Sequence, residues 1–151
     1  MKWRLIDRVD SFEPWRSIAG RKTISFEEYS LLKVFGRKGS FPESLVLESC
    51  VELARWLAAA SSGFSQTAAL AEVETFRFTA EADRSEVLRI SARVVARERN
   101  LLRLECAVAT SAGEVAAGRF TVELLPLGEH FDTEWVTGLW RELCGETHAQ
   151  A

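Results

Sequence analysis

Pro42-Glu-Ser-Leu-Val-Leu-Glu-Ser-Cys-Val-Glu-Leu-Ala-Arg-Trp-Leu-Ala-Ala-Ala60 is the most apolar helix-like stretch of the chain. At about 100° per residue, Leu45, Val46, Leu47, Cys50, Val51, Leu53, Ala54, Trp56, Leu57 and Ala58 cover roughly two-thirds of the wheel. Only Ser44, Glu48, Glu52 and Arg55 share a narrow polar stripe. The pattern predicts a helix enclosed on most sides, with Pro42 in its first turn and Ser40 or Phe41 near its cap. A carboxylate inside so apolar a helix is costly to bury unless it is paired or useful. Glu48 is therefore the leading candidate for a chemical group.

Strand signals dominate on the C-terminal side. Leu88, Ile90, Ala92, Val94 and Ala96 alternate with Arg89, Ser91, Arg93 and Arg97, Leu102, Leu104, Cys106 and Val108 with Arg103 and Glu105, and Ala116, Gly118, Phe120, Val122 and Leu124 with Arg119, Thr121 and Glu123. Thr75-Phe-Arg-Phe-Thr79 alternates within a run from Ala68 to Ala82. Three successive period-two runs, joined at 97–100 and 111–114 by hairpin-length connections, predict an antiparallel meander with one apolar face. On the N-terminal side, Leu5 to Val9 is short and apolar, Asp10 to Trp15 reads as a turn, and Arg16 to Ser25 as a first long strand. The glycine-dotted stretch from Ser25 to Ser40 reads as a loop. Pro126 ends the last strand, and Asp132 or Thr133 can cap a short helix carrying Trp135, Leu139, Trp140 and Leu143. The expected class is α+β, with one long apolar helix covering a strongly twisted antiparallel sheet.

Composition narrows the function classes. The chain has 151 residues, suited to one core, and 47% of them are apolar. Nineteen basic residues stand against 22 acidic ones, a net charge of −3 with both signs scattered, which excludes the basic face that nucleic acid needs. Three cysteines, Cys50, Cys106 and Cys144, form no ligand-like pair and read as small core residues. No metal cluster or cofactor is expected. The opening residues lack a secretory h-region, and charges interrupt the longest apolar stretch. The expectation is a cytoplasmic protein with no membrane contact.

The order of one central helix followed by a meander of long strands resembles the hotdog fold. Leu5-Ile-Asp-Arg-Val9 resembles the opening "LvDRV" of the β-hydroxyacyl-acyl-carrier-protein dehydratases. Phe41-Pro-Glu-Ser-Leu-Val-Leu-Glu-Ser-Cys-Val-Glu52 resembles their "MPGVLIlEAmAQ" segment. The sheet half, from Phe76 to Leu125, follows their strand order, so the likeness covers about residues 3 to 127. The resemblance implies a hotdog domain over 1–127 with a helical extension over 128–151. It also implies a homodimer that binds acyl thioesters of acyl-carrier protein or coenzyme A at the subunit interface.

The family's glutamate maps to Glu48 and its neighbouring glutamine to Glu52, which makes these two the catalytic candidates. Phe35, Gly36, Ser40, Phe41 and Arg55 are the candidates for substrate contact. The family's catalytic histidine does not carry over. An ungapped count from Pro42 places its "HFPG" motif on Val34-Phe35-Gly36-Arg37, and alignment on the local Phe-Pro puts the histidine at Ser40. The two histidines of the chain, His130 and His148, lie beyond the last strand. β-Dehydration needs a base, an acid and donors for the enolate oxygen. Glu48 with a water, or Glu48 and Glu52 as a mutually repelling carboxyl pair, could fill the missing role.

Competing assignments stand beside these. Arg55 can simply balance Glu48 and Glu52 in a charged stripe, and Ser40 can be a helix cap. Lys33, Arg37 and Lys38 suit either phosphates or solvent, Trp135 and Trp140 suit packing or subunit contacts, and His130 suits the surface. Three functions follow: a dehydratase-like lyase of fatty-acid or polyketide-type metabolism, a hotdog thioesterase, or a non-catalytic acyl-carrier-binding subunit.

Overall fold

The computed structural model describes residues 5–24, 41–82 and 86–145. Strands β1 (Arg8–Glu13) and β2 (Ser17–Thr23) precede helix α1 (Glu43–Ser61). Strands β3 (Gln66–Phe78), β4 (Val87–Glu98), β5 (Leu101–Thr110) and β6 (Gly113–Pro126) follow, then a 3-10 turn at Leu127–Glu129 and helix α2 (Thr133–Leu143). The six strands form one antiparallel sheet in the order β1-β2-β4-β5-β6-β3.

The three alternating runs become β4, β5 and β6 because period two matches the pleat. Their inward residues Leu88, Ile90, Leu102, Leu104, Val108, Phe120 and Val122 are fully buried. They meet the buried face of α1, formed by Val46, Cys50, Val51, Leu53, Ala54, Leu57 and Ala58. The outer face is polar and carries the triad in which Glu105 accepts from Arg93 at 2.6 Å and from Arg119. Those two guanidinium groups hold the Glu105 carboxyl below the usual carboxylate range.

Two sequence expectations need correction. The stretch from Asp10 to Trp15 is not a turn throughout, because β1 runs on to Glu13 and pairs with β2. The turn is compressed onto Trp15, a bulky residue at φ 57°, whose N–H donates to Ser61 Oγ at 2.8 Å and whose ring lies 3.8 Å beneath the Arg97 guanidinium. Tertiary contacts at the end of α1 hold a backbone conformation that local propensity disfavours. Pro42 is the N-cap of α1 rather than part of its first turn. Asp132 caps α2 as expected, its Oδ1 accepting from Glu134 N at 2.9 Å and Trp135 N at 3.3 Å.

Strand β3 lies at the sheet edge, and much of it is exposed on both faces, including Leu70 and Val73. It crosses β6 so closely at Gly118 that a Cβ there would collide with the Thr75 carbonyl oxygen and with Phe76. The crossing lies beside a register shift between Val73 and Thr75. Among the described residues, no helix is long and apolar enough to cross a membrane.

Candidate functional site

The polar stripe of α1 is held by one cation. Arg55 Nη1 donates to Glu48 Oε1 at 3.2 Å and to Glu52 Oε2 at 3.0 Å, while Arg55 Nε donates to the Ala68 carbonyl of β3 at 3.1 Å. Residues three or four apart share a helix face, so 48, 52 and 55 line up along the axis. The stripe faces the edge-strand side of the sheet, through Ala68.

This geometry corrects the expected burial of Glu48. Its side chain is 41% exposed, against 29% for Glu52 and 34% for Arg55. The stripe stays partly exposed, so the carboxylates keep solvent on one side and gain a cation on the other. The repulsion expected between Glu48 and Glu52 is offset by the guanidinium between them. Partly exposed ion pairs contribute little to stability, roughly 0–1 kcal/mol each. Their effect here is to fix where the two carboxylates point.

Two concavities flank the stripe. At the start of α1, a cavity of about 370 Å³ is lined by Phe41, Pro42, Glu43, Ser44, Val46, Phe78, Ala82 and Val115. Phe41, an expected substrate contact, is a buried wall residue here, and its N–H donates to the Ala82 carbonyl at 2.7 Å. The Leu45 and Val46 amides donate to the Pro42 carbonyl at 3.0 and 3.1 Å, so the Glu43 and Ser44 amides are the ones without a partner inside the helix and suited to an oxyanion. Further along α1, a groove of about 310 Å³ runs between α1 and α2. Glu52, Arg55 and Thr67 form its polar lip, and Trp56, Ala59, Leu127, Phe131, Trp135, Val136 and Leu139 its apolar wall. Two shallower depressions of about 540 and 440 Å³ lie on the outer sheet face, floored by Ala19, Ser91 and Ala107. The sheet separates them from α1.

Of the sequence candidates, Glu48, Glu52 and Arg55 are brought together and Phe41 lies at the helix start. Phe35, Gly36 and Ser40 lie outside the described residues, as do Val34, Lys33, Arg37, Lys38 and His148. His130 is exposed at the end of the 3-10 turn. Trp140 packs in an aromatic cluster with Phe12, Trp56 and Phe64, at ring distances of 5.3, 5.9 and 6.5 Å. Trp135, by contrast, is 49% exposed and lines the groove, as does Phe131 at the same exposure. Two bulky apolar residues flanking the Asp132 cap were the available sequence signal for this groove.

Cys50 and Cys106 are core residues, as expected, and they meet, whereas Cys144 is only partly buried. Cys50 on α1 and Cys106 on β5 are buried, and the hydrogen bond between their thiols, followed by burial, holds the Cys50 thiol well above the ordinary cysteine range. A raised folded-state value means that the unfolded chain ionises first as pH rises. The contribution to stability is therefore full below about pH 8.5 and is lost above it. Urea midpoints should fall between pH 8 and pH 10, and less so in Cys50→Ala. Alkylation of Cys50, followed by mass spectrometry, should require unfolding.

None of the family models and none of the curated proteins matches the chain. Solved structures do. A hot-dog-like protein from Thermanaerovibrio acidaminovorans superposes with a TM-score of 0.64 at 15% identity, over 86% of this chain and 92% of that one. The chain has the hotdog fold. A Streptococcus mutans protein bound to acetyl-CoA matches this hotdog domain with a TM-score of 0.62 at 16% identity, over 80% of this chain and 89% of that one. A Haemophilus influenzae thioesterase matches it with 0.61 at 12%, over 82% and 81%. The long helix α1 lies within this fold, and its partly exposed stripe carries the acids singled out in the sequence.

Proposed function

We propose that this protein hydrolyses acyl-coenzyme A thioesters, with Glu48 activating the attacking water and Arg55 positioning it. The observation that carries this reading is the Glu48–Arg55–Glu52 stripe, a fixed carboxylate on the open side of the central helix with concavities before and after it. Thioester hydrolysis needs one base for water and donors for the tetrahedral oxyanion. Glu48 can supply the first, and the Glu43 and Ser44 amides at the start of α1 the second. Dehydration needs an additional acid, and neither the altered motif nor the stripe presents a histidine for it. The comparisons add support: one structural neighbour is a thioesterase and another holds acetyl-CoA.

The test is release of free thiol from acyl-CoA and from acyl-carrier-protein thioesters, run beside hydration of crotonyl-CoA. Hydrolysis of the coenzyme A substrates with no hydration is expected. Hydration without hydrolysis would restore the dehydratase-like reading, and binding without turnover the non-catalytic one.

A homodimer belongs to the same proposal. A 13-residue edge strand whose middle is exposed on both faces, with apolar Leu70 and Val73, is a ready template for a second copy. Pairing there would bring a second subunit to the side of the sheet on which Arg55 reaches Ala68. Sedimentation should give twice the 16.9 kDa chain mass, and a monomer at micromolar concentration would reject the pairing.

A further inference from the structure

We propose that the groove between α1 and α2 takes the tail of a linear acyl chain about 10–12 carbons long. This rests on the thioesterase reading and adds a substrate class to it. Three features of the groove carry the inference.

The first is continuity. Arg55 lines the groove, and its Nη1 also holds Glu48 at 3.2 Å, so the candidate base is one ion pair away from the groove's polar lip. The second is chemistry. Past Glu52, Arg55 and Thr67 the lining is apolar, with Trp56, Phe131 and Trp135 offering broad faces. That suits a hydrocarbon, whereas a polar acyl group would leave its hydrogen bonds unmade. The third is length. At about 1.5 Å per residue, α1 advances about 16 Å from Glu48 to Ala59 and about 10 Å from Glu52 to Ala59. An extended chain of ~1.5 Å bonds gains about 1.3 Å per carbon, so about 12 carbons reach the far end, about eight of them inside the groove.

The exposure of Phe131 and Trp135 fits this role. Each is 49% exposed, although α2 seats Val136 and Leu143 in the core. A bound chain would cover apolar surface that the fold leaves bare.

The experiment compares kcat/KM for butyryl-, octanoyl-, dodecanoyl- and hexadecanoyl-CoA in wild type, Trp135→Ala and Phe131→Ala. Dodecanoate binding is followed in parallel by tryptophan fluorescence. Wild type should prefer dodecanoyl over butyryl, and each substitution should lower that ratio about tenfold, mainly through KM. Dodecanoate should quench wild type and bind more weakly to both variants. Both side chains are half exposed, so the variants should fold, and circular dichroism checks that they do. If acyl-CoA is hydrolysed with no chain-length preference and an unchanged ratio in both variants, the tail site is wrong and the thioesterase reading stands. If no thioester is hydrolysed but dodecanoate binds and the variants weaken it, the tail site stands and the thioesterase reading falls. Loss of the dimer in Trp135→Ala with an unchanged ratio would assign the groove to a second copy and overturn the proposal.

Discussion

Glu48→Gln is expected to lower acyl-CoA hydrolysis about 10²- to 10⁴-fold, equivalent to about 3–5 kcal/mol of barrier, with the larger change in kcat. Glutamine keeps the length and shape of the side chain and can still accept from Arg55, but it cannot take a proton from water. The stability cost should be small, because the ion pair it weakens is partly exposed. Glu52→Gln serves as the comparison. It also meets Arg55, at 3.0 Å, and it lines the groove. If Glu52 only helps to hold Arg55, its loss should act mainly on KM. Equal and large kcat losses in both variants would make the two acids a functional pair, and unchanged rates in Glu48→Gln would remove the proposed base. Steady-state kinetics on one acyl-CoA, with urea denaturation as the folding control, distinguishes these results.

Phe120→Ala should destabilise the fold by about 3–5 kcal/mol. Phe120 is fully buried on β6, paired with Leu104 of β5 on one side and Val73 of β3 on the other. Removing its ring would leave a cavity facing α1 that neighbours on three strands and a helix cannot all collapse to fill. Against a typical total of about 5–15 kcal/mol, this is a large fraction. The melting temperature should drop by roughly 6–20 °C at about 2–4 °C per kcal/mol for this size. Phe131→Ala is the contrast, since its ring is half exposed, and its effect should stay within about 1 kcal/mol. Chemical-denaturation midpoints with an unchanged slope would verify both values. A Phe120→Ala loss below that of Phe131→Ala would contradict the described core.

The long elements were legible because their periods were clean. Alternation at 88–96, 102–108 and 116–124 reads as half-buried strands, and the apolar wheel of 42–60 reads as a long helix with most of its circumference apolar. Both appear with bounds shifted by a few residues. The site was legible in part. Glu48, Glu52 and Arg55 share a helix face by spacing alone, and the assignment of Arg55 to balance both acids matches the hydrogen bonds. The burial of Glu48 was overestimated. A wheel counts apolar neighbours on the helix, whereas exposure depends on how far the sheet reaches around it.

Sequence by itself determined the α+β class, the long apolar helix, the meander and the acids on one stripe, because each follows from side-chain period or from spacing within a single element. Tertiary structure alone decided the rest. It compressed the β1–β2 turn onto Trp15, set the Cys50 thiol against that of Cys106, left β3 as an open edge and set α2 against α1 to form the apolar groove. All of these depend on contacts between residues far apart in the chain, and the distance across such a contact is fixed by packing, which no local pattern records.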